Sequence, residues 1–357
     1  MSLKRINKET FIKRKITKWY GHNARVLPWR KKMDKNLPIP YYVFISEFML
    51  QQTTVRAVIP KFNEFIKIWP TIKKLSKITE SRILTFWSGL GYYARARNLL
   101  KSIKLIAKNH NYIIPKEYNH LIQLPGVGDY TAKAIQGIAY NKPVMPIDSN
   151  IERIVTRIYG SMKSKREIKS HIEVLVKKLI SKKNSSNFIQ ALMDYGSIIC
   201  LPNVPICNKC IIQNHCIAFK KKLTNEIPIK KIKSNSKKIK FTRAYIIVNE
   251  FNEILVRRRP KKGMLQSMIE VPNDQWIKQK KKLVRNNFIK SLSLKLVKLR
   301  KKSIYSFSHF DLYIEVYFTK VRKTKFKNYH WLSLTKIDNA GLPTVMRKIV
   351  RMYMSSV

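Results

Sequence analysis

The chain has 357 residues, 45% of them hydrophobic, which is enough for two domains with cores of their own. It has no run of eighteen apolar residues, and its first nineteen residues are polar and lysine-rich, so we expect neither a membrane span nor a secretory signal but a cytoplasmic protein. Seventy-three Lys and Arg against 20 Asp and Glu give a net charge of +53, which suits a polyanionic partner. A coding bias towards Lys, Ile and Asn would produce the same charge without selection for binding.

Residues 1–222 are predicted to be mainly helical. An apolar periodic stretch over Tyr42–Trp69 ends before Pro70, and we expect it to break near Pro60. The same periodicity predicts three further helices, at Ser81–Trp87, Tyr92–Asn109 and Tyr130–Tyr140. Residues 220–240 are dense in Lys and Ser and poor in apolar residues, a composition typical of a linker.

The pattern changes beyond residue 240. Two β-prone runs, Ala244–Val248 and Glu253–Arg257, flank Asn249–Asn252 and predict a hairpin. Residues 311–319 alternate polar and apolar side chains, and His330–Leu334 is another candidate strand. One face of the alternating run carries Leu312, Ile314, Val316 and Phe318. Residues 239–357 are therefore predicted to form a small α+β domain.

A glycine-containing turn, Leu124-Pro-Gly-Val-Gly128, separates two helical patterns. Gly126 and Gly128 would let the backbone turn tightly and leave N–H groups uncovered at the start of the helix that begins at Asp129. Such a helix N-terminus binds anions, and on DNA the anion would be a phosphate. A plain helix–turn–helix connection would use the same five residues.

Two carboxylates are candidates for acid–base chemistry. Glu47 stands among apolar residues, and an apolar setting raises the pKa of a carboxyl, as a general acid requires. An exposed helix face or a cap would be the ordinary interpretation of such a Glu. Asp148 precedes a helix that we expect to begin near Ile151, so it is a candidate N-cap as well as a carboxylate that the helix dipole keeps ionised.

The four cysteines fall within 17 residues and are spaced Cys-x6-Cys-x2-Cys-x5-Cys. In a cytoplasmic protein this clustering favours a metal site over disulfides. Four thiolates hold structural zinc or an iron–sulfur cluster, and the spacing alone leaves both open. These ligands are Cys200, Cys207, Cys210 and Cys216.

Four sequence blocks carry a resemblance to a known family. Together with the cysteines and Phe307-Ser-His309, they resemble the endonuclease III superfamily of helix-hairpin-helix DNA glycosylases and, within it, the MutY-type adenine DNA glycosylases. The blocks are Ile45–Thr53, Gly89–Asn98, Leu124–Ala132 and Ile147–Ile154.

The resemblance implies a mainly α N-terminal helix-hairpin-helix glycosylase fold, made of a six-helix barrel and an iron–sulfur helical domain, with a C-terminal α+β Nudix-like domain. The implied boundaries are 29–141 for the barrel, 1–28 with 142–222 for the iron–sulfur domain, 223–238 for the linker and 239–357 for the Nudix-like domain. The acidic box of Nudix hydrolases is absent, so we do not expect nucleotide hydrolysis there.

The activity that the resemblance implies is excision of adenine opposite 8-oxoguanine, or opposite G, from double-stranded DNA by a monomer associated with the nucleoid. Glu47 would protonate adenine at N7, Asp148 would stabilise the oxocarbenium ion, and Asn150 would orient the site. Tyr130 would lie beside the sugar, in the slot where strand-cutting relatives carry a nucleophilic lysine. The enzyme should therefore release the base and leave the strand intact. Ser149 departs from the glycine that is usual in the family.

DNA- and base-binding roles also follow from the resemblance. Trp29, Arg30 and Leu50 would line the adenine pocket, and Gly126 and Gly128 would meet a phosphate. Gln51–Thr53 and Gly89–Tyr92 resemble the wedge elements of the family. After base flipping, Gln52, Thr53, Leu90 and Tyr92 would face the orphaned base, with Tyr92 inserted into the stack. Phe307, Ser308 and His309 would recognise 8-oxoguanine.

Other interpretations of these residues remain open. Trp29 and Tyr92 would also suit a protein core, and Phe307–His309 a turn at a strand edge. We expect Arg95 and Arg97 to be phosphate contacts or solvated charges. One [4Fe–4S] cluster on the four cysteines would hold the basic residues Lys209 and 220–222 against phosphates.

Two alternative functions compete with this one. An endonuclease III-type glycosylase and lyase for damaged pyrimidines would need the lysine that Tyr130 replaces. A non-catalytic DNA-binding iron–sulfur protein would have no need to keep Glu47, Asp148 and Tyr130 together with four cysteines.

Overall fold

A computed structural model describes residues 7–33, 37–163, 167–229, 237–300 and 303–356. The described residues divide into two compact units, one within Met1–Lys77 and Asn98–Lys233, the other within Ile78–Arg97 and Ser234–Val357. Segment 78–97 thus groups with the C-terminal residues, whereas the barrel expected at 29–141 would include it. Residues 230–236 of the expected linker, 223–238, lie outside the described residues. The domain boundaries remain predictions.

The helices of the described residues match most of the expected elements. In chain order they are α1 Lys8–Asn23, α2 Pro40–Leu50, α3 Val55–Ile68, α4 Ile72–Ser76, α5 Glu80–Phe86, α6 Ala94–Asn109, α7 Tyr118–Leu121, α8 Asp129–Ala134, α9 Ser149–Tyr159, α10 Ile168–Leu179, α11 Ser185–Ile198, α12 Ile217–Lys220, α13 Asn287–Ser291 and α14 Thr344–Met354. A 3-10 turn spans Pro28–Arg30, and a π-helical turn at Ile135–Ala139 continues α8. No helix among these is both long and apolar enough to cross a membrane.

The predicted break near Pro60 is wrong. Pro60 lies inside α3, and the interruption comes earlier, between α2 and α3, where Gln52 takes a φ of 56°. Proline removes one helical hydrogen bond. Here Val58 and Phe62 are buried on either side of it, and this packing keeps the helix continuous.

α2 lies in the interior of the first unit and is buried on nearly every face. A helix without a polar face belongs to a core, and its one acidic residue is buried with it. α11 packs against α1, α9 and the π-helical turn, and Phe188 and Leu192 are buried there. Glu47 is therefore held by the packing of α2, and it is neither a cap nor on an exposed face.

The second unit is built on one mixed sheet, as the α+β prediction required. Its strands are β1 Lys238–Val248, β2 Glu253–Arg258, β3 Ile269–Glu270, β4 Val297–Lys298, β5 Ser303–Ser306, β6 Phe310–Lys320 and β7 Tyr329–Ser333. The order is β3-β2-β1-β6-β4, with β7 paired to β2 and β5 to β6. β1 and β6 run parallel, and the other pairs are antiparallel.

The predicted hairpin is confirmed, since β1 and β2 pair with Val248 opposite Ile254. The alternation in β6 is confirmed as well, because Leu312, Ile314 and Val316 are buried together under α14. The other face of the sheet carries a smaller cluster with Ile289 of α13. Both sheet faces are thus covered by helices.

Candidate active site

One cavity of about 620 Å³ in the first unit is lined by all of the predicted catalytic and adenine-pocket residues. Its walls come from α2, the turn after it, the 3-10 turn, α8, α9 and α11. Ten of the predicted residues line it: Trp29, Arg30, Glu47, Leu50, Gln51, Gln52, Thr53, Tyr130, Asp148 and Asn150. Sequence reasoning missed other wall residues, among them Arg25, Gln190 and Met193.

Glu47 is 7% exposed, and burial raises its pKa to about 8. The nearby carboxylate of Asp148 adds to this rise, because a second negative charge disfavours ionisation. A hydrogen bond from Tyr130 acts in the opposite direction, since it stabilises the ionised form. The predicted upward shift is confirmed, and near neutral pH the group carries its proton.

Asp148 caps α9, as one of its two interpretations required. Its Oδ1 accepts the N–H of Ile151 at 2.7 Å, and its Oδ2 accepts the Nδ2 of Asn150 at 2.8 Å. Burial nevertheless raises the pKa of Asp148 above its ordinary value, against these hydrogen bonds. The hydrogen bonds at the N-terminus of α9 thus reduce the rise in the pKa of Asp148 that burial causes, but they do not cancel it. Ser149 has helical backbone geometry, so its replacement of glycine causes no strain.

Arg153 ties Asp148 to the cysteine segment, and sequence reasoning missed it. The guanidinium donates to the Oδ1 of Asn150 at 2.9 Å, and Asn150 in turn holds Asp148. The same guanidinium donates to the carbonyls of Cys200 and Gly196, both at 2.7 Å. Its position one turn into α9, three residues after Asn150, was the only available signal. A buried guanidinium with this many acceptors fixes the orientation of Asn150.

Tyr130 stands at the start of α8 and faces both carboxyl groups. Burial raises its pKa well above the ordinary value, and the negative charges of Glu47 and Asp148 raise it further. The phenol is therefore neutral and acts as a hydrogen-bond donor to Glu47.

A buried ion triad orients Arg30 at the cavity wall. Asp194 of α11 accepts from both nitrogens of Arg30, at 2.7 and 2.8 Å, and from Arg25 Nε at 2.7 Å. Burial alone would raise the pKa of Asp194, but the two guanidinium groups outweigh it and hold the pKa below its ordinary value. Trp29 is both cavity wall and core, because its ring packs edge-on against Phe62 at 5.5 Å.

The turn before α8 requires only one of its two glycines. Gly126 has a φ of 83°, and a Cβ there would lie 2.8 Å from Asn98 and 2.9 Å from Phe48. Gly128 has a φ of −98°, so the expectation that both glycines serve the turn is wrong for this one. A Cβ on Gly128 would meet open space. Its backbone is exposed at the start of α8, where an anion could approach.

The wedge loop, residues 89–92, lies in the second unit and is held by hydrogen bonds from Arg95. Tyr92 has a φ of 47° and is 43% exposed, so the core interpretation of this ring is wrong. Leu90 is buried, so its predicted contact with a base would require the loop to move. Arg95 is 6% exposed and donates to the carbonyls of Leu90 and Gly91. The expectation that Arg95 is solvated or on a phosphate is therefore wrong. Its neighbour Arg97 donates to the carbonyl of Gln266 at 3.1 Å.

Phe307, Ser308 and His309 form the turn between β5 and β6. Phe307 stacks on Phe310 at 4.8 Å, while Ser308 and His309 are exposed. The hydroxyls of Tyr92 and Ser308 are hydrogen-bonded, and both residues belong to the second unit. Two segments that were predicted separately to meet the orphaned base are therefore neighbours.

The four cysteine side chains line one small, almost wholly apolar cavity. The guanidinium of Arg157 donates to the Sγ of Cys200 at 3.3 Å, and the hydroxyl of Tyr195 to that of Cys210 at 3.2 Å. Within the described ranges, no three His, Cys, Asp or Glu side chains are grouped as ligands of a single ion. Four thiols around a common cavity, with donors aimed at two of their sulfurs, fit a thiolate-bound metal group, as zinc or an iron–sulfur cluster both are. Lys209 and 220–222 are exposed nearby in the sequence.

Comparisons with known proteins agree with this geometry. Residues 45–178 match the family described as HhH-GPD superfamily base excision DNA repair protein, and residues 243–352 match the NUDIX domain family. The adenine DNA glycosylase of Buchnera aphidicola subsp. Schizaphis graminum is 34% identical over 95% of this chain and 97% of its own length. The chain belongs to the adenine DNA glycosylases. It is thus a DNA glycosylase of base excision repair, with the helix-hairpin-helix and Nudix-like fold that the sequence predicted.

Other members and solved structures extend the comparison. The adenine DNA glycosylase of Rattus norvegicus is 28% identical over 96% of this chain and 78% of its own. A thermostable thymine-DNA glycosylase aligns with a TM-score of 0.54 at 25% identity, over 60% of this chain and 97% of its own. An endonuclease III–DNA complex aligns with a TM-score of 0.51 at 19% identity, over 61% of this chain and 99% of its own. This similarity shows a common fold.

Proposed function

We propose that this glycosylase removes adenine paired with 8-oxoguanine, or with G, from double-stranded DNA and leaves the strand uncut. The observation that carries the proposal is the pairing of Glu47, with a pKa of about 8, and the capped carboxyl of Asp148 in one cavity. Two carboxyls whose environments suit opposite protonation states are what acid-assisted glycosidic cleavage requires.

The first step is proton transfer to the leaving base. An adenine flipped into the cavity would accept the proton of Glu47 at N7, which lets the base leave as a neutral species. The N-glycosidic bond then breaks, and its electron pair moves to the base. The cavity volume of about 620 Å³ lies in the range of sites that enclose ligands of this size.

Asp148 acts on the sugar that remains. Its carboxylate would lie against the developing oxocarbenium ion and stabilise the positive charge. The N–H of Ile151 and the amide of Asn150 keep that carboxylate in place. Water completes the reaction by adding to C1′, and the proton that it loses restores the acid form of the site.

The chemistry of the cavity supports release of the base without strand cleavage. A Schiff base with the sugar needs a neutral amine, as lysine provides. Tyr130 stands in the lysine slot, and the lining residues of the cavity include arginines but no lysine as far as the chain is described. Incubation with an abasic duplex and borohydride should therefore leave no covalent enzyme–DNA product. Efficient trapping would favour the lyase alternative.

We also propose that the four cysteines hold one [4Fe–4S] cluster. Bound there, the cluster would cross-link residues 200–216 to one another and make this segment rigid. Arg153 and Arg157 of α9 are hydrogen-bonded to the same segment, which supports a structural role for the cluster. About four iron atoms and four sulfides per chain are expected from elemental analysis of the purified protein. One zinc per chain would contradict this assignment.

Recognition of the orphaned base would also involve residues of the second unit. Tyr92 would enter the stack, while Ser308 and His309 would reach the 8-oxoguanine edge. The hydrogen bond between Tyr92 and Ser308 supports a shared target for the two segments. Stacking of Phe307 on Phe310 keeps the turn in place. We expect the enzyme to act as a monomer.

Substitution of the acid tests the proposal. Glu47→Gln keeps the shape of the side chain but removes its proton, so single-turnover adenine release should fall by about 10²- to 10⁴-fold while duplex binding persists. Glu64→Gln is the matched control, because Glu64 is an exposed carboxylate on α3. Near-normal turnover by Glu47→Gln would refute the assignment of the acid.

A further inference from the structure

A buried tyrosine faces the cysteine cavity, and the proposed glycosylase reaction does not use it. Tyr195 lies on α11, is 1% exposed, and lines the same cavity as the four cysteines. A phenol in apolar surroundings needs a hydrogen-bond partner, because an unpaired buried hydroxyl destabilises the fold. The partner of this hydroxyl is a cysteine sulfur, which ties the side chain to the group that the cysteines hold.

The geometry around the hydroxyl of Tyr195 directs its proton towards the sulfur. The N–H of Ile211 donates to the hydroxyl oxygen at 3.0 Å, and the same oxygen lies 3.2 Å from the Sγ of Cys210. Since the hydroxyl accepts from Ile211, its own single proton is free to be donated to Cys210. Burial raises the pKa of Tyr195, so the phenol stays protonated and remains a donor.

Packing holds Tyr195 in this position. Its ring meets the ring of Trp19 of α1 edge to face, with 5.0 Å between the ring centres. Its backbone carbonyl accepts the N–H of Cys200 at 2.9 Å. Tyr195 therefore contacts the first cysteine through its main chain and the third through its side chain, and both contacts keep the hydroxyl against the sulfur.

Arg157 also donates to a cysteine sulfur, but its guanidinium has further partners. It reaches the Sγ of Cys200 and, in addition, three backbone carbonyls. Replacement of Arg157 would therefore leave three buried carbonyls without a donor. Tyr195→Phe, in contrast, removes one oxygen atom, keeps the ring, and takes an acceptor only from the N–H of Ile211.

We propose that the hydrogen bond from Tyr195 to Cys210 raises the reduction potential of the metal cluster. This inference rests on the [4Fe–4S] cluster proposed for the four cysteines. A donor aimed at a ligand sulfur stabilises negative charge on the cluster. The reduced form carries one more negative charge than the oxidised form, so it is stabilised more. The added electron comes from an electrode or a chemical reductant, and no covalent bond forms or breaks.

Voltammetry of the adsorbed full-length holoenzyme tests the proposal. In Tyr195→Phe the ratio of reduced to oxidised cluster at a fixed applied potential should fall about threefold to tenfold, tenfold being about 59 mV for one electron. Tyr159→Phe is the matched control, because it removes a hydroxyl that donates to the carboxylate of Glu9 at 3.0 Å. The control should leave the potential unchanged. Iron and sulfide content, measured for each variant, separates a shifted potential from a lost cluster.

A second change at the same position strengthens the hydrogen bond. Fluorine beside the hydroxyl makes a phenol a stronger acid and a stronger donor, so replacement of Tyr195 by 3-fluorotyrosine should raise the potential. This residue keeps the ring, the hydroxyl and the acceptor for the N–H of Ile211. It therefore tests the proposal even if Tyr195→Phe does not retain its cluster.

Several results would overturn the proposal. An unchanged or higher potential in Tyr195→Phe at full iron content would show that the hydrogen bond does not stabilise the reduced cluster, and so would an unchanged potential with 3-fluorotyrosine. An equal fall in Tyr159→Phe would show a general effect of lost hydroxyls. One zinc per chain and no redox couple in the wild type would refute the cluster assignment as well. A wild-type couple that neither change at Tyr195 affects would refute this inference alone.

Discussion

At the scale of single residues, protonation states decide what the catalytic cavity can do. Glu47 and Asp148 are both buried, and burial raises the pKa of each. They differ in their partners, because Asp148 accepts a backbone N–H and an amide, whereas Glu47 is set in the apolar helix α2. The hydrogen bonds that Asp148 accepts favour its ionised form, which is why the proposed mechanism makes Glu47 the proton donor and Asp148 the carboxylate.

Glu47 should make the stability of the protein depend on pH. Its pKa in the folded state, about 8, exceeds its unfolded value, so the folded state binds the extra proton between about pH 4.5 and 8. As pH rises through this window, the unfolded state loses the proton that the folded state retains, so the stability of the fold falls and the loss is complete above about pH 8. Glu47→Gln should therefore raise the Tm relative to the wild type more at pH 9 than at pH 5. Thermal unfolding at the two pH values measures this, and an equal difference at both would contradict the shifted pKa.

Tyr130 should affect the pH at which Glu47 loses its proton. Its hydrogen bond lowers the pKa of Glu47, so Tyr130→Phe should move the alkaline fall in single-turnover rate to higher pH. If Tyr130→Phe lowered the rate but left the pH profile in place, Tyr130 would not affect the pKa of Glu47, and its role would be limited to contact with the sugar.

Asp148 has a structural role as the N-cap of α9 and a proposed chemical role as a carboxylate, and one substitution separates the two. Asn caps helices about as well as Asp, so Asp148→Asn should change stability by less than about 1 kcal/mol. It removes the negative charge, so adenine release should slow by about 100-fold or more. Urea unfolding and single-turnover kinetics together test this. A large loss of stability would show that the charge, and not only the cap, supports the fold.

At the scale of elements, the turn before α8 offers a matched pair of glycines. Gly126→Ala meets both a positive φ and a Cβ clash with Asn98 and Phe48, so it should cost about 1–3 kcal/mol of folding free energy. Gly128→Ala has an ordinary φ and open space, so it should leave stability unchanged. If a phosphate approaches this backbone, Gly128→Ala should weaken duplex binding. Equal stability losses in the two variants would contradict this account.

Most elements could be predicted from periodicity, and the exceptions have physical reasons. The apolar face of α3 continues across Pro60, and tertiary packing outweighed the local preference of proline. The loop at residues 89–92 was predicted from its resemblance to the family, and its glycines indicated a loop tip at Tyr92, but the sequence predicted Arg95 to be a phosphate contact or a solvated charge. Its buried position follows from carbonyl acceptors that only the folded loop places beside it.

At the scale of the whole molecule, sequence blocks far apart in the chain converge on one cavity. Glu47, Tyr130 and Asp148 were predicted because each lies in a sequence block that resembles the glycosylase family, and all three line this cavity. Asp194 was not, because its partners Arg25 and Arg30 lie 164 or more residues away in the chain. Arg153 was not, because it also donates to backbone carbonyls that no motif marks, such as that of Gly196, 43 residues away. The grouping of 78–97 with the C-terminal unit likewise depends on contacts such as that of Ser88 with the carbonyl of Leu342.

The pH dependence of adenine release tests the central claim most directly. Single-turnover rates on an 8-oxoguanine:A duplex should fall above about pH 8, because Glu47 loses its proton there. The rates should also fall at low pH, because Asp148 gains a proton. Since the two carboxyls interact, the two apparent pKa values of this profile describe the pair and not either residue alone. In Glu47→Gln the residual rate should lose the alkaline limb. A wild-type rate that stays constant through pH 9.5, or an alkaline limb that survives in Glu47→Gln, would contradict the assignment of Glu47 as the acid.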